Sequence, residues 1–514
     1  MYKRQGITRD LEAMKANGIA GYQLFEAGSG IPIGPVESLS DEWVDLILHT
    51  LKESERLGLE FAMHNCPGWS SSGGPWITPD KAMQIITWSE TKITGGKQVR
   101  IQLPTPKHMF DYYIDTYCLA IPANMKVIPR LSILELSNRL DKDGVLTWDV
   151  PTGEWLIMRF GQTAKDQKNK SAPSKSTGLD CDKFSTEALD YHLNCMFKRL
   201  MPTMEKIAKH SKIGLLIDSY ETGDQDWTSD MPVYFEQSHG YELYPFLPVL
   251  ANKIVESEES TKRFLFDFRR VRADMFAERY YGHFQKRCKE KGIITYTEPY
   301  GGNMMEELQV AQQLDINMGE FWCGQTVLWA NYKYNRTVKQ VASIAHTLGG
   351  KVVGAEAFTS EPDADKWLQY PYALKSLGDY MFTRGLSRIY FHRFAHQPHP
   401  TAAPGMTMGA WGLHFDRTNT WWKPGKAWIE YLNRCQYIFQ SSTFYGDILY
   451  HNGDDSFGST IEPEQTLLAP PEGYDYDMVN TEMLDKAHIK DGKILFPATR
   501  FDGYKLLVLS LIHI

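Results

Sequence analysis

The sequence predicts an α/β protein: a (β/α)8 barrel of the TIM type lacking its first strand, with an inserted antiparallel β domain and the start of a C-terminal α/β domain. Three observations carry this expectation. Helix-period and strand-like segments alternate over residues 7–90 and again over 176–440, as a parallel sheet requires. Residues 91–163 break that pattern with short alternating segments separated by turn residues. Four apolar runs end in glutamate: LLIDSYE at 215–221, IITYTE at 293–298, INMGE at 316–320 and KVVGAE at 351–356. Barrels of this type carry their chemistry at the C-terminal ends of their strands.

In chain order, Thr8 is positioned to N-cap a helix with Leu11 and Met14 on its apolar face and Gly18 at its end. A strand at 21–25 leads to Glu26. A second amphipathic helix spans 41–57 and stops at Gly58, and a strand at 59–65 enters a Gly/Ser/Trp-rich loop at 66–79. The insertion contributes strands near 98–103, 117–121, 144–148 and 155–160, and the polar stretch 165–176 reads as a linker or an active-site loop. A long helix over 185–210, kinked at Pro202, precedes the strand to Glu221. A helix over 261–291 precedes the strand to Glu298. Strands near Glu320, Glu356 and 387–392 follow, then a helix at 426–440. The strand ends are Glu26, Asn65, Glu221, Glu298, Glu320, Glu356 and His392, one short of a closed barrel. With the missing strand placed ahead of residue 1, Glu221 ends the fourth strand and Glu356 the seventh. The expected domains are 1–90 and 176–440 for the barrel, 91–175 for the insertion with its linker, and 441–514 for a further domain. That last part starts with a strand at 447–450 and breaks off in the apolar run 504–514. The chain therefore reads as cut at both ends.

Bulk properties narrow the function. The 514 residues are 42% hydrophobic and 23% charged, ordinary for a globular protein. With 55 basic against 63 acidic residues the net charge is −8, which argues against nucleic acid and anionic membranes as partners. No apolar run is long enough to span a bilayer. Seven scattered cysteines show neither CxxC nor zinc-finger spacing. Walker A, GxGxxG, HExxH and GxSxG motifs are absent. Aromatics make up 13%, with 14 Trp and 27 Tyr, a tilt towards sugar stacking that core packing explains equally well.

Carboxylates on strands four and seven face each other across a barrel mouth, which suits glycosidic bond cleavage. Asp218 and Asp224 flank Glu221 and are expected to raise its pKa. Glu298 and Glu320 are placed to bind hydroxyls, position water or ligate a metal, and equally to serve structure alone. His64, Asn65, Trp69, Trp76, Tyr220, Trp322, His392 and Arg393 are the expected sugar contacts. His396, His399, Trp411, Trp421 and Trp422 stand nearby as further polar or stacking groups. Asp218, Asp224 and Asp226 form an acidic cluster without EF-hand spacing.

The run HNCPGW at 64–69, continued by SSSGGPWI and TPDKAMQ to residue 84, resembles the α-L-rhamnosidases of glycoside hydrolase family 106. So do DSYETG at 218–223, TEPYGG at 297–302, MGEFW at 318–322 and GAEAF at 354–358, in the same order. The resemblance covers most of residues 6–440. It implies a barrel with inserted and appended β domains, in a periplasmic or secreted enzyme that removes terminal α-L-rhamnose from plant polysaccharides with inversion. A calcium ion near the sugar is implied too. By the same resemblance Glu221 matches the general acid and Glu356 the general base. Glu320 matches a third essential acid tied to the metal or the water. Two alternatives remain at this point: a retaining glycosidase of the β-galactosidase type, and a non-catalytic carbohydrate-binding barrel.

Overall fold

The computed structural model describes residues 2–509 apart from 211, 325–327, 351, 361–366, 410, 454–459, 461 and 467. Lys351 at the head of one glutamate run, and the end of the C-terminal apolar run (510–514), lie outside the described residues.

Seven parallel strands form the central sheet: β1 (Gly21–Leu24), β2 (Glu60–His64), β6 (Ile213–Ile217), β7 (Ile294–Thr297), β8 (Ile316–Cys323), β9 (Val353–Ser360) and β10 (Arg388–Phe391). They are paired in chain order from β1 to β10, so the sheet curls into a nearly closed barrel. No described strand joins β10 back to β1. The sequence count of seven strands is thus met one for one among the described residues.

Helices α1 (Tyr2–Ala16), α2 (Asp41–Leu57), α3 (Thr186–Phe197), α4 (Met201–Ile207), α5 (Glu258–Met275), α6 (Glu307–Ala311), α7 (Leu328–Leu348), α8 (Pro371–Thr383) and α9 (Lys426–Ser441) occur between and after these strands. Helix α2 shows why the sequence was readable here. Ser40 accepts the Trp43 N–H at 3.2 Å, Gly58 closes the helix at φ 64°, and Trp43, Val44, Ile47 and Leu51 form its buried face. Other boundaries moved. Thr8 lies inside α1, which already begins at Tyr2, and its hydroxyl meets His49 Nε2 at 3.1 Å instead of capping. The helix expected over 185–210 is two helices, with Pro202 in the first turn of the second, where a missing N–H costs nothing. The helix expected over 261–291 begins at Glu258 on the cap Ser257 and passes through a π segment, Phe276–Gly282.

Between β2 and β6 the strands pair antiparallel, beginning at Gln84. β3 (Gln84–Thr94) and β4 (Ile114–Pro122) flank β5 (Glu154–Ala164), and Lys97–Gln102 pairs with Val145–Val150 in a separate ribbon. Buried Arg159 holds Asp115 through Nε at 2.7 Å and Nη2 at 2.8 Å. The insertion is tied to the barrel where the Ile86 N–H donates to Asp226 Oδ1 at 2.9 Å. At the other end β11 (Ile448–His451), β12 (Tyr476–Val479) and β13 (Leu506–Leu509) make a small parallel sheet that packs on Leu308 of α6 and Ile344 of α7.

Candidate active site

Glu221, Glu298, Glu320 and Glu356 all line one cavity of about 1760 Å³ at the C-terminal end of the barrel, joined by Asp218. The structure thus brings together the four glutamates that the sequence singled out. Asp218 follows β6 directly, and Glu298 follows β7. Glu320 and Glu356 are not at strand ends, as expected, but within β8 and β9, which run on to Cys323 and Ser360. A register shift between Phe321 and Trp322 accompanies this, and Phe358 takes up φ 61°, a left-handed conformation that ordinary residues avoid.

Each carboxylate has a distinct environment. Glu221 stands exposed to the cavity, accepting from Trp69 Nε1 at 3.1 Å and from Ser219 Oγ at 3.1 Å. Glu298 is buried: Tyr300 OH donates to its Oε2 at 2.5 Å, while Oε1 has no hydrogen-bond partner. Glu320 is buried and accepts from Trp322 Nε1. Glu356 accepts from Thr359 Oγ1 and has His392 Nδ1 3.9 Å away. Burial, reinforced by the neighbouring carboxylates, holds Asp218, Glu298 and Glu320 well above the usual carboxylate range. Burial and Arg393 lower the pKa of His392, against the pull of Glu356.

Trp69, Tyr220, Trp322, His392 and Arg393 also line the cavity. Tyr220 does so from a buried position, its hydroxyl donating to Gly223 O at 3.0 Å and its ring edge-on to Phe276. Arg393 donates to Trp411 O at 2.7 Å, and Trp411 meets the Trp322 ring edge-on at 5.9 Å.

Three expected sugar contacts lie outside the cavity lining. The buried Asn65 amide donates to Leu216 O at 2.9 Å, and its oxygen accepts from Ser72 Oγ at 2.5 Å. It pins the HNCPGW loop to β6. His64 is buried, stacked on Phe25, and its ring Nδ1 is engaged with the Cys66 backbone. Trp76 donates to His192 Nδ1 at 3.3 Å. A polar residue at the end of a strand can face the loop beneath as readily as the ligand above, and here the loop claims it. Trp421 and Trp422 pack against Phe415 in the core. His396 binds Asp10 Oδ2 at 2.8 Å at the cavity edge, and His399 accepts backbone N–H groups of its own loop. Asp224 does not line the cavity, and Asp226 is engaged with Ile86. Of that acidic cluster only Asp218 reaches the site. Tyr300, which sequence reading passed over, touches Glu298 directly; its place two residues after Glu298 in TEPY was the available signal.

Among the described residues, oxygens of Asp218, Glu298 and Glu356 lie within 4.8 Å of one another. The open Oε1 of Glu298 and an all-oxygen donor set fit a hard cation. Glu320, the residue expected to hold the metal, is outside this trio, because its carboxylate is turned to Trp322.

A protein of Formosa agariphila, provisionally named a beta-glucuronidase, is 39% identical over 526 residues, covering 96% of this chain and 44% of that protein. The chain therefore spans less than half of that relative. A solved rhamnosidase from Novosphingobium sp. PP1Y shares the fold with a TM-score of 0.87 at 21% identity, over 99% of this chain and 64% of the other. A cold-adapted beta-galactosidase from Rahnella sp. R3 matches more loosely, with a TM-score of 0.50 at 11% identity over 93% of this chain and 62% of the other. The family model described as alpha-L-rhamnosidase, glycoside hydrolase 106, matches residues 2–116 and 107–513, so the chain belongs to that glycoside hydrolase family.

Proposed function

We propose that this chain carries the hydrolytic centre of an inverting exo-α-L-rhamnosidase acting on rhamnose-containing glycans outside the cytoplasm. The observation that carries the reading is the division of labour between two carboxylates in one pit. Glu221 is exposed and held by the indole of Trp69, while Glu356 lies three strands away beside His392. Protonated Glu221 gives its proton to the glycosidic oxygen as the C1–O bond breaks. Water attacks C1 from the opposite face and loses a proton to Glu356. Solvent then returns one proton to Glu221 and takes one from Glu356. Glu320, beside Glu356 in the next strand, orients that water. Trp322 and Trp411 offer the sugar an apolar wall.

Asp218, Glu298 and Glu356 would hold a calcium ion. When bound, the ion would supply positive charge to an acidic pit and fix sugar hydroxyls.

The test is proton NMR of aryl α-L-rhamnoside and aryl β-D-glucuronide incubated with the full-length enzyme and calcium. Initial release of β-L-rhamnose, abolished in Glu221→Gln and Glu356→Gln, supports the reading. Initial α-L-rhamnose would indicate a retaining enzyme. Turnover of the glucuronide alone would overturn the substrate. Sugar binding that survives both substitutions, with no turnover in the parent, would leave a binding barrel.

A further inference from the structure

The surroundings of Glu221 are lopsided. The group that departs with the glycosidic oxygen must lie beside the acid, and one flank of Glu221 is closed. There the Tyr220 N–H donates to Tyr300 O at 2.9 Å, and a Cβ on Gly301 would meet the Tyr220 carbonyl oxygen at 2.5 Å. The other flank opens onto the rim that carries Trp69.

That rim is an arc of loops running from Trp69 to Trp411. The Trp69 N–H donates to Lys170 O at 3.3 Å, and the Gly28 N–H donates to Ser171 O at 2.6 Å. A Cβ on Gly30 would meet Gly409 Cα at 2.6 Å, so backbone passes against backbone there. Trp411 follows two residues later and meets Trp322 edge-on. Glu26 anchors the arc. Its carboxylate accepts from Trp43 Nε1 at 2.9 Å and from the hydroxyls of Ser38 and Ser176, while its carbonyl accepts from the Gly68 N–H at 3.0 Å. The glutamate that follows β1 thus serves structure, tying the loops after β1 and β2 to the segment 169–177.

The arc is apolar where the pit below it is acidic. Among the described residues, the stretches 27–36, 172–177 and 406–411 place no acidic or basic side chain on the cavity. Ile31, Pro173 and Met408 line it, and Ile33 and Trp411 are 67% and 40% exposed. An exposed apolar surface continuous with a reaction centre marks a ligand contact. A charged leaving group would give up water against Ile31 and Met408 and gain no polar partner from them.

We propose that this arc, from Trp69 through Pro173 and Ile31 to Met408 and Trp411, is the seat of the leaving group, and that it takes an apolar one: an alkyl or aryl carrier of the sugar. The inference rests on the proposed rhamnoside hydrolysis and narrows it to substrates whose carrier is apolar beside the scissile bond.

Alkyl α-L-rhamnosides test it with the full-length enzyme and calcium, because their leaving alcohols differ little in acidity and a trend among them reports binding. The hexyl glycoside should be hydrolysed with a kcat/KM at least about tenfold above that of the methyl glycoside. The carboxypentyl glycoside, of similar length but charged, should show no such gain. Equal values for all three would overturn the proposal. Ile31 and Met408 are half-buried loop residues. Ile31→Ser combined with Met408→Ser should cut the hexyl-to-methyl ratio at least about threefold. A ratio that does not move would put the seat elsewhere and overturn the proposal too. If no α-L-rhamnoside is turned over, the reading of the reaction fails, and the arc is judged by binding alone. Saturation-transfer NMR of hexan-1-ol should then give a signal with the parent that the double variant loses. No signal, or equal signals from both, would overturn the seat.

Discussion

Glu320 and Glu356 are register partners on adjacent parallel strands, β8 and β9, so two carboxylates project into the barrel from neighbouring positions. Strand neighbours lie about 4.8 Å apart, and no basic side chain is hydrogen-bonded to either carboxylate among the described contacts. Burial and Glu356 together keep Glu320 protonated far above the usual range. Glu320→Gln keeps the acceptor for Trp322 Nε1 and replaces a protonated carboxyl with a neutral group of the same shape. It should lower kcat by about 10²–10³-fold while leaving Tm equal or higher. Steady-state kinetics beside thermal unfolding checks this, and a joint fall in activity and Tm would make Glu320 structural.

Trp69 links the HNCPGW loop to Glu221 through one bond, Nε1 to Oε2 at 3.1 Å. Trp69→Phe retains most of the ring and loses only that donor. One hydrogen bond to a charged group is worth about 1.5–3 kcal/mol, so kcat/KM should fall about 10- to 100-fold with an unchanged Tm. An unchanged kcat/KM would remove Trp69 from the acid's environment.

Calcium should stabilise the protein through Asp218, Glu298 and Glu356. At a hundredfold excess over Kd the linkage gives about 2.7 kcal/mol, visible as a rise in Tm that chelator reverses. Glu298→Gln should weaken the effect, since Oε1 of Glu298 is the buried atom that lacks a partner. A Tm indifferent to calcium in the parent would dismiss the site.

What the sequence disclosed follows from what periodicity can encode. Alternation of helix and strand is a local pattern, so the seven barrel strands were legible in order, and the four glutamates were legible because each closes an apolar run in the sequence, although Glu320 and Glu356 lie within their strands. The direction of a side chain at a strand end is set by a distant loop. Asn65 and His64 therefore turned inward, where Ser72, Leu216 and Phe25 meet them. The convergence of Asp218, Glu298 and Glu356 draws on three strands at once, a relation that no local spacing contains. Prolonged strands past Glu320 and Glu356 were hidden because FWC and AFTS read equally as loop or strand.

Glu306 makes the contact with the C-terminal sheet dependent on pH. Its side chain caps α6 by accepting from Leu308 N–H and Gln309 N–H, and it accepts from Asn480 Nδ2 at 2.6 Å. Burial, against the pull of these donors, raises it from 4.5 to about 7. The folded state therefore binds a proton that the unfolded state has released. This contribution is complete below about pH 4.5 and is lost as pH rises through about 7, a change of about 3 kcal/mol. Glu306→Gln should flatten stability against pH across that window, by urea unfolding at pH 5 and pH 8. An unaltered difference between those two pH values would show that Glu306 is ionised throughout.

His192 works with the opposite sign. It lies buried under the HNCPGW loop, with Nε2 3.0 Å from Asn65 O and Nδ1 accepting from Trp76. Burial lowers its pKa from 6.5 to about 3, so the folded protein keeps it neutral where the unfolded chain protonates it. Stability is lost as pH falls below about 6.5 and goes on falling towards about 3, which amounts to about 2 kcal/mol at pH 5. His192→Gln should be less stable at pH 7.5, because the Trp76 contact is weakened. Its unfolding at pH 5 should also take up about one proton fewer than the parent's. Calorimetry in buffers of different ionisation enthalpy counts that proton. A parent and variant with equal uptake would mean that His192 is already charged in the fold and that the Asn65 contact holds an imidazolium.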